Sequence, residues 1–434
     1  MPARGCAMVT EVITLEGHII DSNLLARVLD EILAAGGEFE ILEIHIGRSR
    51  DDRSHALIEL RTESVEGMQK VLARVGRCGA IWLESGDVEI RPADGDGAFP
   101  PDFYVTTDQQ TFVRYQGEWL EVRGQEMDCG LVLNPADRSF RCVPITKVRR
   151  GDPVVCGQRG IKVVPADRHR AKGLFGLISA DISADKPMYA VIRSCASLLS
   201  QVRSSGKKVL LAGGPAIVHS GGSADVVRLI ERGYVQVLFA GNALAAHDIE
   251  FSLYGTSMGV YVEKGTSADT GRDNHLRAIN EVRRAGGIAQ AVAQGVLTGG
   301  ILHACVRHGV PYILAGSVRD DGPLPDTMIN TLAARDALRA SIVDVGFALL
   351  LATGVHSIAA VHLLPAWVPA VCVDLSPTVL SKVAERGSFQ TIGLPTDVEA
   401  FLRTLVEALD ELEPAAQHPA SEGPRLTSGA TGPR

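Results

Sequence analysis

Residues 209–215 read Val-Leu-Leu-Ala-Gly-Gly-Pro, an apolar run of strand length that ends in a glycine-rich turn. The same pattern returns at 235–243, 312–322 and 370–376, where each apolar run passes into a loop of glycine or polar residues. Helical stretches separate these runs. Continuous apolar strands with intervening helices indicate a parallel sheet that is covered on both faces. Such sheets bind ligands beyond the carboxyl ends of their strands, so we expect the functional site in these loops.

The rest of the chain divides by pattern into further units. Residues 1–100 follow the order β-α-β-β-α-β of a ferredoxin-like α+β domain, for which we weigh an oligomerisation role against ligand binding. Residues 101–170 carry short alternating runs, among them a hairpin around Gln116-Gly117, and predict a small β-rich domain. Residues 171–412 form the α/β domain with the parallel sheet, and the Pro/Gly/Ser/Ala-rich residues 413–434 predict a disordered tail.

Composition restricts the class of protein. A length of 434 residues favours two to four domains at roughly 100–200 residues each. The 51 acidic side chains outnumber the 43 Lys and Arg, and the net charge of −8 argues against nucleic acid as a partner. The eight cysteines form no CxxC pair, which favours a reducing, cytoplasmic location. Neither a signal peptide nor an uninterrupted apolar span of about 20 residues is visible, so we expect no membrane partner.

Two strand-end features suggest a nucleotide. The glycines of residues 213–222 would let backbone N–H groups approach a phosphate, although the spacing is not GxGxxG and a tight turn is the alternative. Asp374, at the end of an apolar run, could accept the hydroxyls of an adenosine ribose or could cap the helix predicted over 377–386. Because no Arg follows Asp374 directly to take a 2′-phosphate, NAD is favoured over NADP.

Three polar groups are candidates for chemistry. His247 and Glu250 lie one helical turn apart after Asn242, and could hold a metal or relay protons; the alternative is a surface cluster behind a capping Asn. No third potential ligand stands at a sequence spacing typical of metal sites, so no metal site is predicted. Arg319, Asp320 and Asp321 form the densest polar loop, suited to carboxylate binding and proton transfer unless it is a solvated turn. His356 is a core histidine or, behind Thr353-Gly354, a group beside a cofactor.

Several long motifs, in order along the chain, resemble the archaeal-type ornithine cyclodeaminase family, also called the LOR/SDH bifunctional enzyme conserved region. They are Gly-Pro-Ala-Ile-Val-His (214–219), Leu-Phe-Ala-Gly-Asn-Ala-Leu-Ala-Ala-His-Asp-Ile-Glu (238–250), Gly-Thr-Ser-Met-Gly-Val (255–260), Leu-Ala-Gly-Ser-Val-Arg-Asp-Asp-Gly-Pro-Leu-Pro-Asp (314–326) and Val-Cys-Val-Asp (371–374), with Asp-Phe-Tyr-Val-Thr-Thr (102–107) and Glu-Met-Asp-Cys-Gly (126–130) before them. The resemblance covers about residues 10–410. It extends to the C-terminal half of cyanobacterial arginine dihydrolase/ornithine cyclodeaminase fusions, without implying the dihydrolase activity.

The resemblance implies a deoxyhypusine-synthase-like NAD-binding fold, which would explain the missing GxGxxG. One departure is Val361-His362, where the family pattern has Gly-Asn. The implied NAD contacts coincide with the strand-end loops. They are Asn242, Ala243, Asp321, Thr353, Gly354, Val355, His356, Asp374, Asp397 and Val398, of which Asp397 could instead cap the last helix.

The implied activity is that of an NAD-dependent ammonia-lyase converting L-ornithine to L-proline and ammonia. We assign the substrate carboxylate to Arg319 and the proton relay to Asp320 or Asp321, with His356 or His247 as second choice. Lys264 is a further cation candidate. The alternatives are an amino- or imino-acid dehydrogenase of the saccharopine type and a regulatory protein that responds to NAD or amino acids. A homo-oligomer is expected.

Overall fold

A computed structural model shows the path of most of the chain. It describes residues 8–17, 19–20, 23–47, 52, 54–82, 86–164, 188–258, 260–262, 273–320, 323–386 and 391–412. The predicted tail 413–434, the predicted boundary at residues 170 and 171, Lys264 and Asp321 lie outside these residues. None of the described helices is long and apolar enough to cross a membrane.

The N-terminal unit has the predicted ferredoxin-like topology. Its four strands lie in the order β2-β3-β1-β4, all antiparallel, which is the split arrangement. Apolar side chains of the sheet and of both helices, such as Ile13, Ile58, Val28 and Val71, make one core. The elements are β1 (Val9–Gly17), α1 (Leu24–Ala34), β2 (Glu38–His45), β3 (Ser54–Thr62), α2 (Val65–Arg77) and β4 (Ile81–Trp82).

The next unit is β-rich, with two small antiparallel sheets in the orders β5-β10-β8-β9 and β11-β6-β7. The predicted hairpin is present: Gln116 and Gly117 both have positive φ, 53° and 80°, as a tight type I′ turn requires. A single 3₁₀ turn, Ile145–Lys147, lies between β9 and β10. The strands are β5 (Glu89–Pro92), β6 (Gln110–Tyr115), β7 (Glu118–Glu121), β8 (Gly130–Asn134), β9 (Ser139–Val143), β10 (Pro153–Cys156) and β11 (Ile161–Val164).

The remaining described residues build the predicted parallel sheet, in the order β17-β16-β13-β12-β18-β19-β20. The apolar runs are buried on both faces, since Val209 and Leu211 of β12 enter one core and Leu210 and Ala212 the other. The strands are β12 (Lys208–Gly213), β13 (Val237–Gly241), β14 (Thr256–Ser257), β15 (Val260–Tyr261), β16 (Tyr312–Ala315), β17 (Thr327–Met328), β18 (Val345–Leu351), β19 (Ala370–Val373) and β20 (Thr391–Leu394), with β14 and β15 forming a separate antiparallel pair.

Helices cover both faces of this sheet. One core receives side chains from α3 (Met188–Ser204), α4 (Ala216–His219), α5 (Ser223–Glu231), α6 (Asn242–Tyr254), α7 (Asp273–Ala285), α8 (Ile288–Ala293), α9 (Ile301–His308) and α13 (Val398–Leu412). The other core receives side chains from α10 (Thr331–Ser341), α11 (Gly354–Leu363) and α12 (Pro377–Arg386). Taken in chain order from β12, six of the strands lie as 3-2-1-4-5-6, the doubly wound order. The predicted fold class is thus confirmed.

Helix α6 is buried around its whole circumference. Leu244, Ala245 and Ile249 pack in the core, and the polar Asp248 and Glu250 are also fully buried. Asp248 accepts hydrogen bonds from the N–H groups of Ile301 and Leu302, at 2.9 Å each, and so caps α9. Burial raises the pKa of Asp248 to about 6.

Ion pairs connect the β-rich unit to the parallel-sheet domain, among them that of Lys147 with Asp336 of α10. Arg339 of α10 donates from Nε and Nη2 to the two carboxylate oxygens of Glu126, at 2.6 and 2.8 Å. Glu126 is buried, and Arg335 lies 3.6 Å from it. Glu126 precedes Cys129, whose burial raises the pKa of its thiol and keeps the thiol protonated. The motif at 126–130 therefore has a structural role in this interface.

Candidate active site

The strand order reverses between β12 and β18, and the loops that follow these two strands meet there. A Cβ placed on Gly214 would lie 1.9 Å from the carbonyl oxygen of Ala352, so only glycine fits between the two backbones. Ala352 itself has a positive φ of 50°, a strained conformation for a residue with a side chain. This point of reversal is where doubly wound sheets form their ligand crevice.

His356 lies in this region, on the first turn of α11. Its Nδ1 is 2.9 Å from Oγ1 of Thr353, and its ring stands edge-on to Phe239. The other edge of the ring approaches Gly241, where an added Cβ would lie 3.0 Å from Cε1 and 3.3 Å from Nε2. Burial lowers the pKa of His356, and the charge of Asp320 opposes that shift in part. A neutral imidazole held in place on one side is suited to accept a proton.

The polar loop after β16 is a tight turn. Asp320 accepts a hydrogen bond from the N–H of Ser317 at 2.7 Å, and its own N–H donates to the carbonyl of Ser317. Arg319 is exposed at the tip of the turn. Asp320 and His356 are close enough to interact electrostatically, so the structure brings these two predicted residues near each other. Asp321 is outside the described residues.

The start of α11 fits the pyrophosphate of a dinucleotide. Thr353 is the N-cap residue, but among the described residues its side chain makes no capping hydrogen bond, because its hydroxyl contacts His356. The hydroxyl of Thr353 thus does not occupy the first-turn N–H groups, and Val355 is exposed. Helix N-termini of this kind bind phosphate groups. The chemistry of these donors is consistent with the NAD expected here.

Asn242 and Ala243 begin α6 at the end of β13. One alternative was that Asn242 caps this helix, and it is wrong because Gly241 is the N-cap residue. The buried Oδ1 of Asn242 instead accepts hydrogen bonds from the N–H of Leu324 and from Oγ1 of Thr327, both at 3.0 Å. Asn242 thus holds the loop beyond residue 322 against the end of β13, next to the half-buried Ala243.

Asp374 and Asp397, two of the three predicted acidic contacts, both accept hydrogen bonds within local turns. Asp374, half-buried after β19, accepts the N–H of Ser376 through Oδ1 at 2.8 Å. Asp397 accepts the N–H groups of Glu399 and Ala400 through its Oδ1, and so caps α13. Val398 is buried, so a cofactor could meet only its backbone. Each aspartate uses one oxygen in these bonds, which is compatible with a ligand at the other.

A histidine cluster on the opposite face of the sheet is the feature that sequence reasoning described incompletely. The surface alternative for His247 and Glu250 is wrong, since Glu250 is fully buried. A third donor comes from a distant part of the sequence: His275 of α7 places Nδ1 3.3 Å from Oε2 of Glu250, and His247 places Nδ1 3.2 Å from the same atom. The ring of His219 lies 4.6 Å from that of His247.

His219 belongs to the same cluster through two contacts. Its Nδ1 is 2.7 Å from Oγ of Ser257, and burial together with His247 lowers its pKa to about 4. The partner at residue 275 was missed because it lies 25 residues from Glu250 and reaches it only through the packing of α7 on α6. The one local signal was the polar content of an otherwise apolar helix.

The strand order, the crevice at its reversal and the uncapped start of α11 define a class: a doubly wound α/β protein built to hold a dinucleotide. Three family descriptions match the chain in series. They are the LOR/SDH bifunctional enzyme conserved region over residues 10–109, the first region of the arginine dihydrolase ArgZ-like C-terminal part over 110–192, and its Rossmann fold over 193–405.

Individual relatives match along nearly the whole chain. An ornithine cyclodeaminase of Methanothermobacter thermautotrophicus is 45% identical over 93% of this chain and 99% of its own length. The chain belongs to the ornithine cyclodeaminase family. The crystal structure of the cyanobacterial arginine dihydrolase ArgZ is 33% identical with a TM-score of 0.82, over 95% of this chain and 60% of ArgZ. AgrE of Nostoc, solved with ornithine and NAD⁺, is 35% identical with a TM-score of 0.50 over the same shares.

Proposed function

We propose that the protein is an NAD-dependent ornithine cyclodeaminase, an ammonia-lyase that converts L-ornithine to L-proline and ammonia. The observation that carries the proposal is the crevice between the ends of β12 and β18, with His356 at the start of α11 and Asp320 near enough to act on its charge. It occurs in a chain that matches an archaeal ornithine cyclodeaminase over 93% of its length. The reaction balances without a net oxidant, since ornithine loses one ammonia to become proline.

The residues at the crevice divide into those that hold the cofactor and those that act on the substrate. The N–H groups at Gly354 and Val355 would take the pyrophosphate, and the free carboxylate oxygen of Asp374 the ribose. Bound NAD supplies a hydride acceptor for Cα of ornithine and a hydride donor for the ring carbon that later becomes Cα of proline. The close backbone contact between Gly214 and Ala352 fixes the loop after β18, from which α11 begins.

His356 and Asp320 carry out the proton transfers. Ornithine arrives with two ammonium groups, and each amine must lose a proton before it can form an imine or attack one. The neutral imidazole of His356 takes such a proton, and Asp320 stabilises the imidazolium that results. The same imidazolium returns its proton to the departing α-nitrogen. Arg319, exposed at the tip of its turn, would bind the substrate carboxylate by turning toward the crevice.

Product balance tests this function directly. Purified protein is incubated with L-ornithine and a substoichiometric amount of NAD, and ammonia, proline and NADH are followed together. Equal amounts of ammonia and proline without NADH accumulation support the cyclodeaminase. NADH accumulation without proline would identify a dehydrogenase, and NAD binding without any product would identify a regulatory protein.

We also propose that the protein acts as a homo-oligomer in the cytoplasm. No disulfide joins any of the seven cysteines among the described residues, in keeping with a reducing compartment. On the edge strand β2, Ile41 and Ile44 lie opposite the buried Ile58 and Ala56, yet they are 39% and 43% exposed. A second copy would cover this apolar edge. Ile44→Lys is expected to lower the molar mass measured by light scattering, and an unchanged mass would contradict this contact.

A further inference from the structure

The histidine cluster forms a compact set of donors that the proposed reaction does not use. Its three donors are His247 and Glu250 from α6 and His275 from α7, and His219 of α4 lies beside His247. One donor atom from each of these three side chains lies within 4.8 Å of the other two. Two imidazoles and one carboxylate make a donor set that suits zinc and related divalent transition metals.

The spacing of the donors matches tetrahedral coordination. Two ligands bound at about 2.05 Å in tetrahedral geometry stand about 3.3 Å apart. Nδ1 of His247 and Nδ1 of His275 lie 3.2 and 3.3 Å from Oε2 of Glu250. Both imidazoles thus turn the same ring atom toward one carboxylate oxygen, from different helices. A metal ion at the centre of the three donors would replace these contacts with coordinate bonds.

An outer set of hydrogen bonds orients the carboxylate. Thr256 donates from Oγ1 to Oε1 of Glu250 at 3.0 Å, and the N–H of Met258 donates to Oε2 at 3.3 Å. Asn274 in turn donates to Oγ1 of Thr256 at 3.1 Å. Met258 adopts a positive φ of 53°, so a residue with a side chain holds a strained conformation at this point. Partners that fix the ligands in this way are typical of metal sites.

The cluster is closed at its base and open at one side. The side chain of Glu250 is completely buried, that of His247 is 12% exposed and that of His275 is 31% exposed. An ion can therefore enter along His275. We propose that His247, Glu250 and His275 bind a zinc-class divalent ion, with the fourth position taken by water or by the neighbouring imidazole of His219. The ion ties α7 to α6.

Cobalt is the probe that reports both binding and geometry. The full-length protein is stripped of metal by dialysis against a chelator and titrated with Co²⁺, whose visible absorption is strong only in tetrahedral or five-coordinate sites. We expect one Co²⁺ per chain with strong visible bands, its displacement by Zn²⁺, and a rise of Tm on adding Zn²⁺. These readouts do not depend on ornithine turnover. A failure of the metal site can therefore be distinguished from a failure of the proposed activity.

Variants locate the ion. Glu250→Gln and His275→Gln should abolish the visible bands, whereas His308→Gln, at an exposed histidine at the end of α9, should leave them intact. Thr256→Val keeps all three ligands and should weaken Co²⁺ binding by about 10–100-fold. This milder change provides a test if the ligand variants do not fold, which near-ultraviolet circular dichroism would show.

Two results would overturn the site. One is a folded wild-type protein that takes up no stoichiometric Co²⁺ or Zn²⁺, which would make the cluster a hydrogen-bonded His–Glu–His network. The other is unchanged Co²⁺ affinity and spectrum in folded Thr256→Val and Glu250→Gln proteins, which would place the metal elsewhere on the chain.

Discussion

His356 is the residue on which the proposed proton transfers depend. Its ring is fixed by Thr353 and Phe239, and burial keeps its pKa below the ordinary value of 6.5. The protonated form is therefore disfavoured at neutral pH, and the imidazole is available as a base.

This assignment predicts the pH dependence of kcat/KM. The acid limb of the profile should lie below pH 6.5, because activity is lost only when His356 gains a proton. The charge of Asp320 raises the pKa of His356, so Asp320→Asn should move the acid limb to lower pH. An acid limb that stays in place or moves to higher pH in this variant would contradict the pairing of the two residues.

Gly241 sets the position of the imidazole. An alanine Cβ there would lie 3.0 Å from Cε1 of His356, so the ring must shift by a few tenths of an ångström. We expect Gly241→Ala to lower kcat/KM by roughly ten- to a hundredfold with little change in stability. Gly299→Ala is the control, since its Cβ would meet only Oγ of Ser252 at 3.4 Å. Equal activity of the two variants would argue against this placement of His356.

At the scale of elements, the loops after β12 and β18 form the base of the crevice. A Cβ on Gly214 would overlap the carbonyl oxygen of Ala352, and both atoms belong to backbone that cannot turn aside. Gly214→Ala should lower the free energy of unfolding by about 3 kcal/mol in urea titrations. A loss below about 1 kcal/mol, within the range of tolerated core changes, would show that the loops separate easily.

The sequence predicted the elements that have a strong local pattern. Apolar runs such as 209–212 and 370–373 were found because a strand buried on both faces needs no polar residue. The hairpin at Gln116-Gly117 was found from its turn chemistry. Contacts made by packing were not predictable: His275 reaches Glu250 across two helices, and Asn242 reaches Leu324 across 82 residues. The single sequence carries no signal for such distances.

At the scale of the whole molecule, the ion pair of Glu126 and Arg339 joins the β-rich unit to the parallel-sheet domain. The side chain of Glu126 is 6% exposed, so removal of its partner leaves a buried charge with Arg335 3.6 Å away. Arg339→Met should destabilise the protein by about 3 kcal/mol. The double variant with Glu126→Gln should recover part of that loss, whereas strictly additive losses would show that the two side chains do not interact.

The most direct test of the redox-neutral reaction follows two labels through one turnover. L-Ornithine carrying deuterium at C2 and ¹⁵N in the α-amino group is converted with substoichiometric NAD, and the products are analysed by mass spectrometry. The proposed mechanism predicts proline that retains deuterium at C2, and ammonia that carries the ¹⁵N. Proline that carries the ¹⁵N, or that has lost the deuterium to accumulated NADH, would contradict it.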